Sequence, residues 1–208
     1  MIKAIAFDVG NVILKWDFAP AFVVYAKHCP HAPEQIKRLL WETLVDQFDS
    51  GVHDENNFFE KARSLISLND NVTREQFLSA WNDIFEYNRG IEALVDTLPV
   101  HLDKFLLSNT NPLHYRRAIL ETPVVRKHFT NRDHHVLSFE VGALKPDPAI
   151  YRELLRRTKC RPEEIVFVDD MPENIAAWEK LGGVGIEYDA KKHPIDYLHS
   201  ELKHFGAL

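Results

Sequence analysis

Short apolar runs separated by amphipathic stretches set the rhythm of this 208-residue chain. Residues 2–8, IKAIAFD, are rich in β-branched and aromatic side chains and have the length of a buried strand. Similar runs recur at 103–110 (DKFLLSNT), 163–170 (EEIVFVDD) and 183–189 (GVGIEYD), with a weaker one at 135–142 (HVLSFEVG). Between them, 91–98, 112–120, 147–158 and 172–181 carry apolar residues at helical spacing, and the last stops at Gly182-Gly183. Short apolar strands alternating with helices predict an α/β fold. Its centre is a doubly wound, Rossmann-like parallel sheet covered on both faces.

Residues 16–88 break that rhythm. They contain no strand run, only amphipathic stretches such as APAFVVYAKH, PEQIKRLLWETLVDQF, DENNFFEKARSLISL and TREQFLSAWNDIF. Asp54 and Thr73 stand where helix N-caps belong. The pattern therefore predicts two domains: an α/β core made of 1–15 and 89–208, and an inserted bundle of roughly four helices over 16–88. Trp41, Trp81, Phe58, Phe59, Phe77 and Phe85 are expected in the core of that bundle. Trp16 and Asp17 fall where the chain enters it, at the cleft or the hinge.

Composition narrows the function. Hydrophobic residues make up 45% of the chain and charged ones 27%, as in an ordinary globular protein. The net charge is −6 and the pI is near 6.0, with no long Lys/Arg cluster, which argues against a nucleic-acid binder. No apolar run approaches a membrane span, and the early charges do not suit a signal peptide. Cys29 and Cys160 form no metal-ligand spacing and are expected as reduced, buried thiols. A cytoplasmic location, with a monomer or weak homodimer, is the expectation. His134-His135 lacks a third ligand and is expected on the surface.

The chemistry lies at the strand ends. In a doubly wound sheet, ligands bind outside the carboxyl ends of the strands. Asp8 ends the first strand, Ser108-Asn109-Thr110 the second, Lys145 follows the weak strand, and Asp169-Asp170 close the IVFV strand ahead of Asn174. One acid after a strand is usually a turn former, but two adjacent acids repel unless a cation sits between them. Three carboxylates suit Mg²⁺, a lysine and a hydroxyl suit phosphate oxygens, and an aspartate can be a nucleophile.

In order, FDVGNVI, LLSNTN, GALKPD and VDDMPEN resemble the four motifs of the haloacid dehalogenase-like (HAD) hydrolase superfamily. The likeness covers the whole chain, with 16–88 as a helical C1 cap. Within the family it is nearest to bacterial sugar-phosphate phosphatases whose first motif reads Asp-x-Gly-Asn. The resemblance implies a Mg²⁺-dependent phosphatase acting on a small phosphorylated metabolite through an aspartyl-phosphate. Asp8 would be nucleophile and metal ligand, and the Gly10 carbonyl a second ligand. Asp170 would bind the metal directly, with Asp169 as its outer partner in the metal set and Asn174 orienting the cluster. Ser108, Asn109 and Asn11 would bind substrate phosphate, and Lys145 would steady both Asp8 and the phosphoryl group.

The resemblance breaks at Gly10. Most phosphatases of this family carry an acid there, which protonates the leaving group and later activates water. General acid–base help is typically worth ~10²–10⁴-fold. Its loss implies a good leaving group, such as a sugar leaving from its anomeric carbon, or a proton supplied by the cap. The alternative is a catalytically silent phosphate-binding protein. A haloacid dehalogenase fits less well, because that branch usually has an aromatic residue at this place and lacks the full acidic cluster. Asp46, Asp49 and His53, in the stretch 46–58, are the candidate cap contacts or substitute acids.

Overall fold

The computed structural model describes residues 1–208. The chain opens with β1 (Ala4–Phe7) and β2 (Leu14–Trp16). It then runs through the insert: α1 (Ala19–Ala26), α2 (Pro33–Leu40), a π turn over Trp41–Val45, α3 (Asp46–Asp49), α4 (Glu55–Leu65) and α5 (Arg74–Asn82). β3 (Phe85–Tyr87) returns it to α6 (Gly90–Thr97), β4 (Asp103–Ser108), α7 (Pro112–Arg117), α8 (Pro123–His128), β5 (His135–Leu137) and α9 (Ser138–Val141). The last elements are α10 (Pro148–Thr158), β6 (Ile165–Asp169), α11 (Pro172–Glu179), β7 (Val184–Glu187) and α12 (Ile195–His204).

The five core strands form one parallel sheet in the order β5-β4-β1-β6-β7. Residue alternation in β1 explains why it is apolar throughout. Ile5 and Phe7 pack with Leu106, Val166 and Val168 under α6, α8 and α12. Ala4 and Ala6 pack on the other face with Phe105, Leu107, Ile165 and Phe167 against α10 and α11. Both faces are dry, so neither tolerates the polar half of an amphipathic strand. The parallel register sets Phe7 beside both Leu106 and Val168. Asp8, Ser108 and Asp169 therefore emerge at one edge of the sheet.

The insert leaves the core through an antiparallel pair, β2 with β3, in which Leu14 faces Tyr87 and Trp16 faces Phe85. Its helices close around their own apolar cluster, drawn from residues 18–84 with Leu113 of α7 as the one contribution from the core side. Asp54 and Thr73 do cap α4 and α5, accepting from the Asn57 and Gln76 backbone N–H groups, and the Gln76 side chain returns the bond to Thr73. No helix is long and apolar enough to cross a membrane.

Several local expectations fail for readable reasons. The run at 135–142 is a strand for three residues only. At Ser138 the alternation ends, and α9 begins and stops at Gly142 in the left-handed region. His135 is buried, not on the surface: Tyr115 Oη bonds its Nδ1 at 2.8 Å and its Nε2 meets the Phe129 carbonyl at 2.6 Å. An imidazole with both nitrogens satisfied costs little to bury. Phe85 lies on strand β3, and it and Trp41 are half-buried, packed at the edge of the bundle's apolar cluster. Cys29 and Cys160 are free thiols but half-buried. α8 and α12 escape the sequence pattern.

Candidate active site

The shared register brings the strand-end acids together. Carboxylate oxygens of Asp8, Asp169 and Asp170 lie within 4.8 Å of one another. Lys145 reaches into them, its Nζ 2.8 Å from Asp8 Oδ1 and 2.6 Å from Asp169 Oδ2, and it donates to the Leu107 carbonyl at 3.0 Å. Asn109 fixes this lysine through its backbone: Oδ1 accepts from the Lys145 N–H at 2.7 Å, and Nδ2 donates to the Lys145 carbonyl at 3.0 Å. The Asn109 side chain is thus occupied as a clamp, whatever its backbone offers a phosphate.

The two adjacent acids have different surroundings. Asp169 is fully buried and saturated: Oδ2 holds Lys145, while Oδ1 accepts from the Met171 N–H at 2.8 Å and Asn174 Nδ2 at 2.9 Å. Asp170 accepts one bond, from Asn11 Nδ2 at 2.9 Å. Asn11 is therefore spent on Asp170 and does not line the cleft, unlike the substrate contact expected for it. It sits at φ 51°, a left-handed position that asparagine tolerates better than most residues, in the tight turn where its N–H bonds the Leu14 carbonyl.

Three carboxylates share one ammonium. Burial drives the Asp8 carboxyl up to about 7; Lys145 pulls it down, and Asp169 and Asp170 push it further up. Burial also raises Asp170. Burial by itself disfavours the charged lysine, but Asp169 and Asp8 overcome it and hold Lys145 above the ordinary lysine value. The oxygens left without a protein donor are Asp8 Oδ2, Asp170 Oδ1 and the Gly10 carbonyl. All three are hard donors, the chemistry that suits a small divalent cation. The residues fit such an ion.

A cavity of about 530 Å³ opens over this rim, between core and insert. Asp8, Gly10, Ser108, Asn109, Lys145 and Asp170 form its core side. Ser108 is buried, and its hydroxyl makes only a 3.5 Å contact with the Asn109 carbonyl, leaving it available to a ligand. The insert supplies Phe18, Trp41, Val45, Asp46, Asp49 and Trp81. Successive turns through the π segment put Trp41, Val45 and Asp49 on one helix face. Trp81 lines the cavity with a buried indole N–H that has no partner.

Trp16 crowds Gly10. A Cβ on Gly10 would come within 3.2 Å of Trp16 Nε1. The indole would have to give by a few tenths of an ångström to admit a side chain at position 10, and Lys191 covers its ring at 4.9 Å while donating to the Trp16 carbonyl. Of the other candidates, Asp17 accepts from the Ala19 N–H and His53 pairs with Gln47; neither lines the cavity.

Asp49 is held across the domain boundary. Its Oδ1 accepts from Asn111 Nδ2 at 2.9 Å, and its carbonyl accepts from Ser138 Oγ at 2.5 Å. Asn111 also caps α7 through the His114 N–H and faces His114 Nδ1 at 3.1 Å, which leaves Nε2–H to donate to the Trp81 carbonyl. Burial drives His114 down to about 4, so the ring is neutral. Two residues on, Gly51 adopts φ 77° against the Phe139 carbonyl, where a Cβ would come to 2.2 Å. Only glycine fits that contact. Arg116 pairs with Glu55, and Arg117 with Glu75 at 2.9 Å. The insert is docked on the core. Sequence reasoning missed Asn111, although Asn-Pro is a helix-start signal; nothing local marks Ser138.

A doubly wound core with a cation-seeking acid rim and a helical lid defines the class as a capped α/β enzyme. The family model for haloacid dehalogenase-like hydrolases matches residues 2–182, and the chain belongs to that family. D-ribitol-5-phosphate phosphatase of Bacteroides thetaiotaomicron is 27% identical over 191 residues, covering 88% of this chain and 89% of the relative. A HAD family enzyme from the same organism superposes with TM-score 0.80 at 22% identity, over 95% of this chain and 98% of that one, and has also been solved with magnesium and inorganic phosphate. A predicted HAD-like hydrolase from Porphyromonas gingivalis gives TM-score 0.79 at 23% identity, over 98% of both chains.

Proposed function

We propose that the chain is a Mg²⁺-dependent phosphatase of small phosphorylated metabolites, with sugar or polyol phosphates as the substrate class. The observation that carries this reading is the rim itself: a buried aspartate with one free oxygen, a lysine clamped at 2.8 Å from it, and a second, half-satisfied aspartate beside it. Asp8, the Gly10 carbonyl and Asp170 would hold the metal, with Asp169 outside it; the ion's chemistry is to neutralise phosphoryl charge as the ester breaks. Asp8 attacks phosphorus through one carboxylate oxygen, leaving the other to the metal; the ester oxygen departs, and water then hydrolyses the aspartyl-phosphate. Lys145 holds Asp8 in place and faces the phosphoryl oxygens, and Ser108 donates to them. Asp169 and Asn174 hold the lysine and the loop in register.

In this reading residues 16–88 are the cap and the β2–β3 pair is its hinge. The aromatic wall of Trp16, Phe18, Trp41 and Trp81 suits the apolar face of a carbon chain bearing hydroxyls, and the unpartnered Trp81 N–H suits one of those hydroxyls. The named activity of the B. thetaiotaomicron relative, on a polyol phosphate, supports the class. A leaving group on an anomeric carbon remains part of the proposal. The test is release of phosphate from p-nitrophenyl phosphate and a panel of sugar and polyol phosphates, with Mg²⁺ and with EDTA. Metal-dependent turnover supports the reading. No release from any ester sinks it and favours a silent phosphate-binding protein; chloride release from haloacids, indifferent to EDTA, favours a dehalogenase.

A further inference from the structure

The departing oxygen of a sugar or polyol is a strong base and needs a proton, yet Gly10 offers none and Trp16 occupies the space beside it. Five carboxyl groups line the cavity: Asp8, Asp46, Asp49, Asp170 and Glu173. Asp8 is the nucleophile, and Asp170 lies in the acid cluster with Asn11 on it. Asp46 and Glu173 are exposed and unsupported. Asp49 differs from all of them. Asn111 pins one of its oxygens and Ser138 pins its backbone, while Oδ2 has no protein partner.

We propose that Asp49, delivered by the cap, is the general acid and then the general base of the reaction. The inference rests on the phosphatase reading above. As one Asp8 carboxylate oxygen bonds to phosphorus, the P–O ester bond breaks, its electron pair stays on the leaving oxygen, and that oxygen takes the proton from Asp49. The products are the free alcohol, the aspartyl-phosphate and an Asp49 carboxylate. That carboxylate takes a proton from water entering the vacated space. The water oxygen bonds to phosphorus, the Asp8–phosphorus bond breaks, and Asp8, inorganic phosphate and protonated Asp49 are regenerated.

The surroundings of Asp49 suit both halves of that cycle. Burial drives its carboxyl up to about 7, with the Asn111 hydrogen bond opposing and the Asp46 charge adding to the rise. His114, the nearest basic group through Asn111, is neutral and does not reverse this. A group titrating near neutrality can give and recover a proton at physiological pH. The same contacts that dock the cap, Asn111 and Ser138 on Asp49 with Gly51 seated on Phe139, place the acid only when the lid is down. Proton delivery is thereby coupled to exclusion of bulk water.

The test compares wild type and Asp49→Asn, which keeps the oxygen that accepts from Asn111. The probes are p-nitrophenyl phosphate, whose anion leaves unaided, and phenyl phosphate and D-ribitol 5-phosphate, whose leaving oxygens need a proton. kcat/KM stops at departure of the leaving group, so it isolates the acid step. The expected result is a loss of about 10²–10³-fold on the two poor leaving groups, at least ~30-fold more than on p-nitrophenyl phosphate. Equal losses on all three esters make Asp49 a latch and overturn the inference, as does no loss on any. Wild type inert on all three overturns the phosphatase reading instead.

Discussion

The rim of the core and the underside of the cap meet across one cavity, yet they are built on opposite terms. On the rim, the charged side chains are braced: Lys145 by Asp8, Asp169 and the Leu107 carbonyl, Asp169 by Lys145, the Met171 N–H and Asn174, Asp170 by Asn11. On the cap, the wall is aromatic, and few polar contacts fix it: Asn111 and Ser138 to Asp49, His114 to the Trp81 carbonyl, and exposed ion pairs. The difference teaches where precision is needed. A nucleophile must be held to a fraction of an ångström, which buried, charge-assisted bonds on a rigid sheet provide. The insert, the lid of the proposed enzyme, is joined to the core by fewer such bonds.

The sharpest break in that comparison is Asp8→Asn. It removes the proposed nucleophile and leaves the cavity walls, so phosphate release is expected to fall on the order of 10⁴–10⁶-fold while the far-ultraviolet circular dichroism stays the same. Retained turnover would move the chemistry off the rim altogether.

Next in size is Lys145→Ala. It leaves buried carboxylates facing each other without their ammonium, and breaking such a pair typically costs about 3–5 kcal/mol. Urea unfolding in EDTA should register that loss, and added Mg²⁺ should recover part of it. A cost under 1 kcal/mol in EDTA would mean the rim is far better hydrated than its burial implies.

Trp81→Phe addresses the cap wall. It deletes a buried N–H that has no partner, so stability should change by less than about 1 kcal/mol. If that N–H meets a substrate hydroxyl, KM for the best sugar or polyol phosphate rises by about 3–10-fold with little change in kcat, the mark of uniform binding. An unchanged KM assigns the indole to packing alone.

The smallest effect supplies a scale for the buried rim. Glu153 pairs with Arg156 and Arg157 on the surface of α10, and those bonds lower its carboxyl to about 2. A folded value depressed below the unfolded one means the stabilisation is present above about pH 4.5 and fades as pH falls toward 2. Glu153→Gln should therefore flatten part of the acid limb of stability and cost about 1 kcal/mol or less at pH 7, as exposed pairs do. A cost matching that of Lys145→Ala would erase the distinction between braced rim and solvated surface.

Much of this was legible beforehand. Asp8, Lys145, Asp169 and Asp170 each follow an apolar run or a turn, and a parallel sheet has only one edge where such ends can gather. Asn11 was legible as part of the site but not in its task, because its partner Asp170 is 159 positions away. Trp16 could be placed at the cap entrance but not against Gly10. Ser138 lay in what read as a strand, and its bonds to Thr110 and Asp49 come from two distant segments.

By itself, then, the order of apolar and polar residues determined the sheet, the insert and the acids at the strand ends, since periodicity and turn chemistry act over a few neighbours. Only the tertiary structure decided which acid faces the lysine, which faces the asparagine, and that Asp49 of the insert shares a cavity with Asp8. Those choices depend on burial and on donors brought from elsewhere in the chain, and no local pattern encodes them.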